Sequence, residues 1–368
     1  MFARQANPRY ASGPFKIISG KMVPARRSAG GVCVATRHPE IFAYAADTAW
    51  MPCGPRATPC PQPSFYHTSV DRFFQRPAEH LTKSGTADDL RNILCMLSFA
   101  TGVDFSHYRH DTLARGMARR MALQRIGNFG DYVRRLRETP DELTALFDEM
   151  LIPVTRFFRE PGAFEALKEK VFPRIMPDTS GRNPVRVWVP GCSTGQEAYS
   201  IAICLLEYLE ENGRSASLRI FGTDVSDSAI ARARAGRYQE DTVAYVSPGR
   251  RDRFFVRAEG GWEISQAVRS LCVFARHDVT RDPSFSSVDL ISCRNLLIYF
   301  GHDLHRQVLS MFHGALKSGG FLLLGASESI GEFPELFSAV VREHRIYARR
   351  PEISALGRIQ KARRRRGA

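Results

Sequence analysis

The stretch VRVWVPGCSTGQEAYS, from Val185 to Ser200, reads as a strand, a tight loop and the start of a helix. Its β-branched and aromatic residues predict a strand that ends at Pro190, which cannot donate to a ladder. Gly191 and Gly195 bracket the loop and allow a ligand to approach the backbone, towards which the helix directs its free amides. This pattern is typical of a cofactor loop, although short glycine patterns also occur in ordinary strand-to-helix connections.

The composition is that of a globular protein with room for two domains. The 368 residues are 43% hydrophobic and 24% charged, values that are ordinary for globular chains. No apolar run approaches the roughly 18 residues of a membrane span, and no signal-peptide pattern is present, so we expect a cytoplasmic protein without membrane insertion. The eight cysteines lack CxxC spacing, so we expect free thiols and no metal site.

The net charge of +14 predicts an acidic partner, and its distribution is uneven. Eight arginines lie between Arg109 and Arg137, where they could form a solvated helix face or a docking surface. The remaining sequence divides by pattern. The predicted parts are a mostly disordered extension (1–85), a helical receptor-docking domain (86–150), a linker with one helix (151–183), an α/β domain (184–350) with a β-subdomain inserted around 241–276, and a basic disordered tail (351–368).

The α/β domain alternates strands with helices, which predicts a doubly wound, mostly parallel sheet. In such sheets the ligand lies beyond the carboxyl ends of the strands. Asp224 ends the second strand, where an acid accepts hydrogen bonds from ribose hydroxyls. The other loops predicted at this edge contain Gly191, His277-Asp278-Val279, Cys293-Arg294-Asn295 and Gly325.

Glu197, in the first turn of the helix after Gly195, indicates which cofactor the loop binds. A pyrophosphate would be repelled by this carboxylate, whereas an ammonium or a sulfonium would be attracted. The loop therefore favours S-adenosylmethionine over NAD. The alternative is that Glu197 only complements the helix dipole.

Several motifs occur in a fixed order between about Asp88 and Arg349. They are TRFFRE (155–160), CSTGQEAYS (192–200), GTDVS (222–226), CRNLLIYF (293–300) and GASES (325–329). Together they resemble the chemotaxis-receptor glutamate O-methyltransferases, the CheR family. The resemblance implies the fold of a class I S-adenosylmethionine-dependent methyltransferase with a small inserted β-subdomain and an N-terminal all-α domain.

The resemblance also implies an activity and a set of site residues. Members of the family transfer the methyl group of S-adenosylmethionine to glutamates on the cytoplasmic helical domain of methyl-accepting chemotaxis receptors. By motif, the cofactor would be bound by Thr155 and Arg159 from the linker, Glu197 at its amino group, Asp224 at its ribose, Asp278 and Val279 at its adenine, and Arg294 and Asn295 at its methionine portion. Tyr299 would lie close to the transferred methyl group.

The chemistry of the transfer determines what these residues must do. A glutamate is already ionised at neutral pH, so the enzyme supplies alignment and removal of water rather than a strong base. We expect Arg159 and Tyr299 to be catalytic by steering the carboxylate, with one hydrogen bond from Tyr299, unless Tyr299 only packs the strand end. Arg115 and Arg119, on a basic helix, are expected to dock the acidic receptor helices.

Two departures from the family pattern affect the expected partners. Pro153 replaces an asparagine that is often found two residues before the linker threonine, which removes one expected cofactor hydrogen bond. The segment 255–266 is shorter than in members that bind a pentapeptide tether at receptor C-termini, so we expect no tether binding here.

Two competing functions remain at this stage. A nucleic-acid methyltransferase is suggested by the sequence pI of about 9.7, but the turn CRNLLIY lacks the Asn/Asp-Pro-Pro-aromatic pattern of base amino-methylating enzymes, so we expect no nucleic-acid partner. The competitor from another class is a non-catalytic adapter that senses S-adenosylmethionine and binds a signalling protein.

Overall fold

The computed structural model describes residues 15–18, 21–24, 87–151, 155–176, 183–331 and 333–351. Within the predicted extension, strands β1 (Phe15–Ile18) and β2 (Lys21–Pro24) pair as an antiparallel hairpin. The rest of that extension, Pro153 and nearly all of the predicted basic tail lie outside the described residues.

The predicted helical domain consists of helices α1 (Ala87–Thr101), α2 (His110–Leu123), α3 (Phe129–Glu138) and α4 (Pro140–Met150). The apolar side of α2 is buried, as its spacing predicts, and it includes Met117 and Met121. At Gly116 a Cβ would lie 3.2 Å from the Cγ atom of Met150. The absence of a side chain at Gly116 therefore allows α2 and α4 to pack closely.

A buried ion pair fastens α2, α3 and α4 together. Glu142 has a 3% exposed side chain and pairs with Arg120. Its carboxylate also accepts hydrogen bonds from Gln124 at 2.7 Å and from the Tyr132 hydroxyl at 3.0 Å. Burial by itself would raise the pKa of Glu142, but these hydrogen bonds outweigh it and the pKa is lowered. Arg120, one of the arginines of the basic segment, is thus a structural residue of this domain.

The helical spacing of Leu113, Met117 and Met121 predicts a second helix from about His107 to Leu123, but α2 begins at His110. The preceding residues pair instead with the loop that follows a distant strand. The Arg109 amide donates to the carbonyl of Tyr299 at 2.7 Å, and the Gly301 amide donates to the carbonyl of His107 at 2.9 Å. This long-range pairing uses backbone groups that a longer helix would need, and local periodicity does not reveal it.

The linker packs against the α/β domain, as its paired phenylalanines predict. Phe157 is 1% and Phe158 7% exposed. The helix predicted over 161–173 is interrupted: α5 (Pro161–Ala166) passes into a π-helical segment (Leu167–Val171) before α6 (Phe172–Ile175). Pro173 has no N–H with which to continue a regular ladder, which accounts for the irregularity beside it.

The α/β domain is organised around a seven-stranded sheet. In chain order its elements are β3 (Val185–Pro190), α7 (Gln196–Glu211), β4 (Leu218–Asp224), α8 (Asp227–Ala235), β5 (Arg237–Tyr238), α9 (Glu240–Val243), α10 (Pro248–Phe254), β6 (Phe255–Ala258), β7 (Gly261–Ile264), α11 (Gln266–Arg269), β8 (Cys272–Arg276), β9 (Val288–Cys293), a 3₁₀ turn (Leu297–Tyr299), α12 (His302–Ala315), β10 (Leu316–Leu324), β11 (Phe337–Val341) and β12 (Ile346–Arg349).

The strand order is β11-β12-β10-β9-β3-β4-β8, and β10, β9, β3, β4 and β8 run parallel. This confirms the predicted doubly wound fold. The chain moves outward from β3 to β8 and then returns to place β9 beside β3, so the loops after β3 and β9 flank the switch point where ligands bind. The residues 344–348 at the end of the domain predict an edge strand, which is wrong in position. The corresponding strand β12 lies inside the sheet, and the unpredicted β11 forms its edge.

The insertion forms a three-stranded antiparallel sheet in the order β5-β7-β6. It is connected to the cofactor loop by Tyr238, whose hydroxyl donates to the carbonyl of Thr194 at 2.7 Å. The ring of Tyr238 also contacts the ring of Phe157 edge-on, with 4.9 Å between centroids. The insertion therefore supports both the loop after β3 and the linker.

Replacement of Gly222 in β4 tests the packing beneath the site. An added Cβ would lie 2.5 Å from a ring carbon of Phe274, so we expect Gly222→Ala to lower the free energy of unfolding by about 1–3 kcal/mol. Gly314→Ala is the matched control, because an added Cβ in α12 meets nothing within 4 Å and should stabilise the helix by roughly 0.5–1 kcal/mol. Chemical denaturation measures both, and equal effects would contradict this packing.

Candidate functional site

A cavity of about 210 Å³ opens at the carboxyl ends of β3, β4, β8 and β9. Its lining includes every residue predicted to be catalytic or to bind the cofactor, namely Thr155, Arg159, Glu197, Asp224, Asp278, Val279, Arg294, Asn295 and Tyr299. The helical domain also contributes to the walls, through Tyr108 and Asp148. The two predicted docking residues, Arg115 and Arg119, do not line the cavity.

Arg294 is a buried charge in the cavity wall, with a 2% exposed side chain. Its guanidinium donates to Glu197 Oε2 at 2.8 Å and to the carbonyl of Arg159 at 2.7 Å. It also pairs with Glu160 at 2.9 Å. Burial would lower the pKa of Arg294, but the two carboxylates raise it, so the group stays charged.

Glu197 is therefore not the isolated acid that the sequence argument assumes. Besides Arg294, it accepts a hydrogen bond from Ser292 Oγ at 2.7 Å. However, the guanidinium is shared between Glu197 and Glu160, and two carboxylates against one cation leave a net charge of −1. The cluster consequently keeps its preference for a cationic ligand group over a phosphate, at a reduced strength.

The loop after β3 is shaped by its backbone. Gly191 has φ +66° and a Cβ there would lie 3.1 Å from Leu296, so both conformation and space require glycine. Ser193 has φ +49°, and its amide donates to Asp224 Oδ2 at 2.8 Å. Burial raises the pKa of Asp224 although backbone amides oppose the shift. Further donors, such as ligand hydroxyls, would stabilise its charged form.

Asp278 carries the clearest sign of an incomplete hydrogen-bond set. Its Oδ1 accepts from the amide of Thr280 at 2.9 Å and from its hydroxyl at 2.6 Å. Its Oδ2 is buried and has no hydrogen-bond partner among the described residues, and the same is true of Ser193 Oγ. Because unpaired buried polar atoms are costly, these two atoms fit a polar ligand such as an adenosine.

Glu328, to which the sequence analysis gave no role, holds the loop that carries Arg294 and Asn295. It is 4% exposed, and its Oε2 accepts from the amides of Asn295 and Gly325, each at 2.8 Å. Its Oε1 accepts from the amide of Leu297 at 2.7 Å. These bonds hold Asn295 in a left-handed conformation, with φ +60°. The available signal was an acid in the motif GASES, three residues after the apolar run FLLLG ends at Gly325.

Tyr299 lies partly buried in the wall. Burial raises its pKa, and the positive charges of Arg159 and Arg115 offset part of that rise. Arg115 thus acts on the cavity although it does not line it. Arg119, whose side chain is 73% exposed, pairs instead with Glu149 at 3.3 Å.

In the parts of the chain that the structure describes, no helix has the length and apolarity to cross a bilayer.

The fold and the cavity define an S-adenosylmethionine-binding domain of the methyltransferase class, and comparison with known families agrees. The model described as "CheR methyltransferase, SAM binding domain" matches residues 153–346. The model described as "CheR methyltransferase, all-alpha domain" matches residues 88–151. The chain belongs to the CheR methyltransferase family, which confirms the resemblance, the fold class and the cofactor predicted from the sequence.

Similar proteins include both named and uncharacterised ones. An uncharacterized 104.1 kDa protein of Rhodobacter capsulatus is 38% identical over 73% of this chain, and the match covers 28% of that protein. Chemotaxis protein methyltransferase 1 of Pseudomonas aeruginosa is 36% identical over 60% of this chain and 82% of its own length. Putative methyltransferase Cher3 of Pseudomonas putida is 29% identical over 72% of this chain and 98% of its own length. The family match shows that the chain is an S-adenosylmethionine-dependent methyltransferase.

Glu328→Gln tests whether the buried carboxylate holds the loop that carries Arg294 and Asn295. The amide group of glutamine would face N–H donors that now have an acceptor, so we expect the free energy of unfolding to fall by about 1–3 kcal/mol. Glu343→Gln is the control, because Glu343 is exposed and should change stability by no more than about 0.5 kcal/mol. Chemical denaturation distinguishes the two, and a neutral Glu328→Gln would exclude the holding role.

Proposed function

We propose that the chain transfers the methyl group of S-adenosylmethionine to glutamate side chains of methyl-accepting chemotaxis receptors, forming methyl esters for sensory adaptation in the cytoplasm. One observation carries the proposal. The cavity that contains the partly buried Asp224 and the buried Asp278 is also lined by Arg159 and Tyr299, two groups suited to receive a carboxylate.

The cofactor roles follow from the chemistry of the lining residues. We assign the amino group of the cofactor to the cluster of Glu197 and Arg294, its ribose hydroxyls to Asp224, and its adenine to Asp278 and Val279. Thr155 and Asn295 would bind near the methionine portion. When bound, S-adenosylmethionine supplies an electrophilic methyl group on a sulfonium, and the net negative charge of the cluster favours that cation.

Arg159 and Tyr299 would position the methyl acceptor. Because the pKa of Tyr299 is raised, its hydroxyl stays protonated and can donate one hydrogen bond to an incoming carboxylate. The carboxylate is ionised at neutral pH and needs no base. A single hydrogen bond orients it without suppressing its nucleophilicity as a bidentate arginine contact would, and the partly buried wall removes water from it.

The exposed side of α2 would dock the receptor. Arg115 and Arg119 both lie on this side, opposite the buried methionines, and receptor methylation regions are helices rich in glutamate. Electrostatic attraction between such surfaces is salt-sensitive, and it would orient the receptor helix so that a glutamate reaches the cavity. We further propose that neither a pentapeptide tether nor a nucleic acid is bound. The cavity contains residues proposed to receive the methyl acceptor, Arg159 and Tyr299, beside those proposed to bind the cofactor. A non-catalytic adapter would not need the former, so this alternative gains no support.

A transfer assay tests the proposal. The purified chain is incubated with methyl-labelled S-adenosylmethionine and membranes enriched in chemoreceptors, and labelled protein is then treated with base. We expect base-labile label released as methanol, which identifies a carboxylate methyl ester. Binding of S-adenosylhomocysteine without any transfer would instead support the adapter, and label in nucleic acid would contradict the proposed substrate.

Tyr299→Phe tests the acceptor contact. Loss of one hydrogen bond that forms to the reacting carboxylate should reduce kcat about tenfold, while the Kd for S-adenosylhomocysteine stays within twofold of wild type. Steady-state methyl transfer and calorimetry measure the two quantities. Unchanged turnover would show that Tyr299 only packs against its neighbours.

The double variant Arg115→Glu/Arg119→Glu tests receptor docking. Charge reversal should raise KM for receptor by tenfold or more at low salt, with the effect shrinking as salt screens the attraction. The control is Arg135→Glu/Arg137→Glu, which makes the same charge change at exposed positions of α3. Equal KM changes in both double variants would reduce docking to a non-specific effect of net charge.

A further inference from the structure

Tyr108 is a residue of the helical domain that lines the cofactor cavity. It is 8% exposed, although it lies in the short segment between α1 and α2. Its ring contacts the ring of Phe300 edge-on, with 5.2 Å between centroids, and that of Phe105 with 4.9 Å. Tyr108 therefore occupies a packed place in the wall rather than a mobile position on a loop.

The backbone around Tyr108 is hydrogen-bonded to the loop that carries Tyr299. Tyr108 and Phe300 form an antiparallel bridge. On either side of it, the Arg109 amide donates to the carbonyl of Tyr299 at 2.7 Å and the Gly301 amide donates to the carbonyl of His107 at 2.9 Å. A displacement of this segment would break the same hydrogen bonds that position Tyr299. Tyr108 and the loop that carries Tyr299 therefore form one unit.

The surroundings of the Tyr108 hydroxyl keep it protonated. Burial raises its pKa, and the next contributions come from the charges of Asp278 and Asp224. The hydroxyl thus stays protonated, and Tyr108 lines the same cavity as Asp224 and Asp278, the two acids assigned above to the adenosine portion of the cofactor. The side-chain contacts of Tyr108 described here are made by its ring, and its hydroxyl is therefore available to a ligand.

The chemistry of an adenosine shows why a tyrosine is suited to this place. Asp224 and Asp278 are ionised acceptors, and they can satisfy only the donors of an adenosine, its ribose hydroxyls and its exocyclic amine. The ring nitrogens and ribose oxygens are acceptors and need a donor. A second charged group would add a desolvation cost, whereas a neutral hydroxyl supplies the donor with less cost.

We propose that Tyr108 is a cofactor-contacting residue whose hydroxyl donates a hydrogen bond to the adenosine portion of S-adenosylmethionine. The helical domain is then a wall of the cofactor site as well as a docking module. This inference concerns the cofactor alone. It stands or fails independently of which protein carries the methylated glutamate.

Calorimetric titration of Tyr108→Phe with two ligands tests the contact. S-adenosylhomocysteine has both the adenosine and the amino-acid portions, whereas 5′-methylthioadenosine lacks the amino acid. Loss of one hydrogen bond to the shared portion should weaken both ligands by a similar factor, roughly five- to tenfold. Glu197→Gln is the contrasting variant, because it should weaken S-adenosylhomocysteine and leave 5′-methylthioadenosine unchanged.

Tyr132→Phe controls for indirect effects of a lost hydroxyl. Tyr132 is buried in the same domain and bonds to Glu142, so its variant should lose thermal stability while binding both ligands as wild type does. The proposal is overturned if Tyr108→Phe binds both ligands within twofold of wild type. It is also overturned if Tyr108→Phe weakens only S-adenosylhomocysteine, because the hydroxyl would then act at the amino-acid end.

Discussion

A single buried guanidinium, that of Arg294, connects the parts of this protein that must meet for its chemistry. It bonds to the first turn of α7 through Glu197 and to the linker through Glu160 and the carbonyl of Arg159. Burying such a charge is costly unless it is paired, and its two Nη groups bond to these acceptors although Nε has no partner among the described residues. The three segments are therefore held to one arrangement. That arrangement also brings Arg159, from the linker, into the same cavity as Tyr299.

The other polar groups of the site complement this centre. Glu328 holds the loop after β9 by its backbone amides, and Ser193 holds Asp224 at the end of β4. The net charge left by two carboxylates around one guanidinium suits a sulfonium better than a phosphate. The helical domain joins the same framework through the backbone pairing of residues 107–109 with the loop at 299–301. The helical domain, the cofactor cavity and the loop that carries Tyr299 are therefore one mechanical unit.

Much of the fold follows from local patterns. The runs LRIFGTD (218–224) and VDLISC (288–293) predict strands with the bounds that the structure has. Short apolar runs that end in polar loops have few other interpretations. The parts that sequence reasoning missed depend on distant partners: the late start of α2, the place of β12 inside the sheet, the pairing of Glu197 with Arg294, and the roles of Arg120 and Glu328. The predicted cofactor and catalytic residues all line one cavity, whereas their individual roles stay predictions.

The most direct test of the account is the affinity of Arg294→Lys for S-adenosylhomocysteine, measured by calorimetry. Lysine keeps the charge, but its single ammonium cannot reach Glu197, Glu160 and the carbonyl of Arg159 together. We predict an increase in Kd of tenfold or more in a variant whose circular dichroism matches wild type. Wild-type affinity in that folded variant would contradict the central role of the guanidinium.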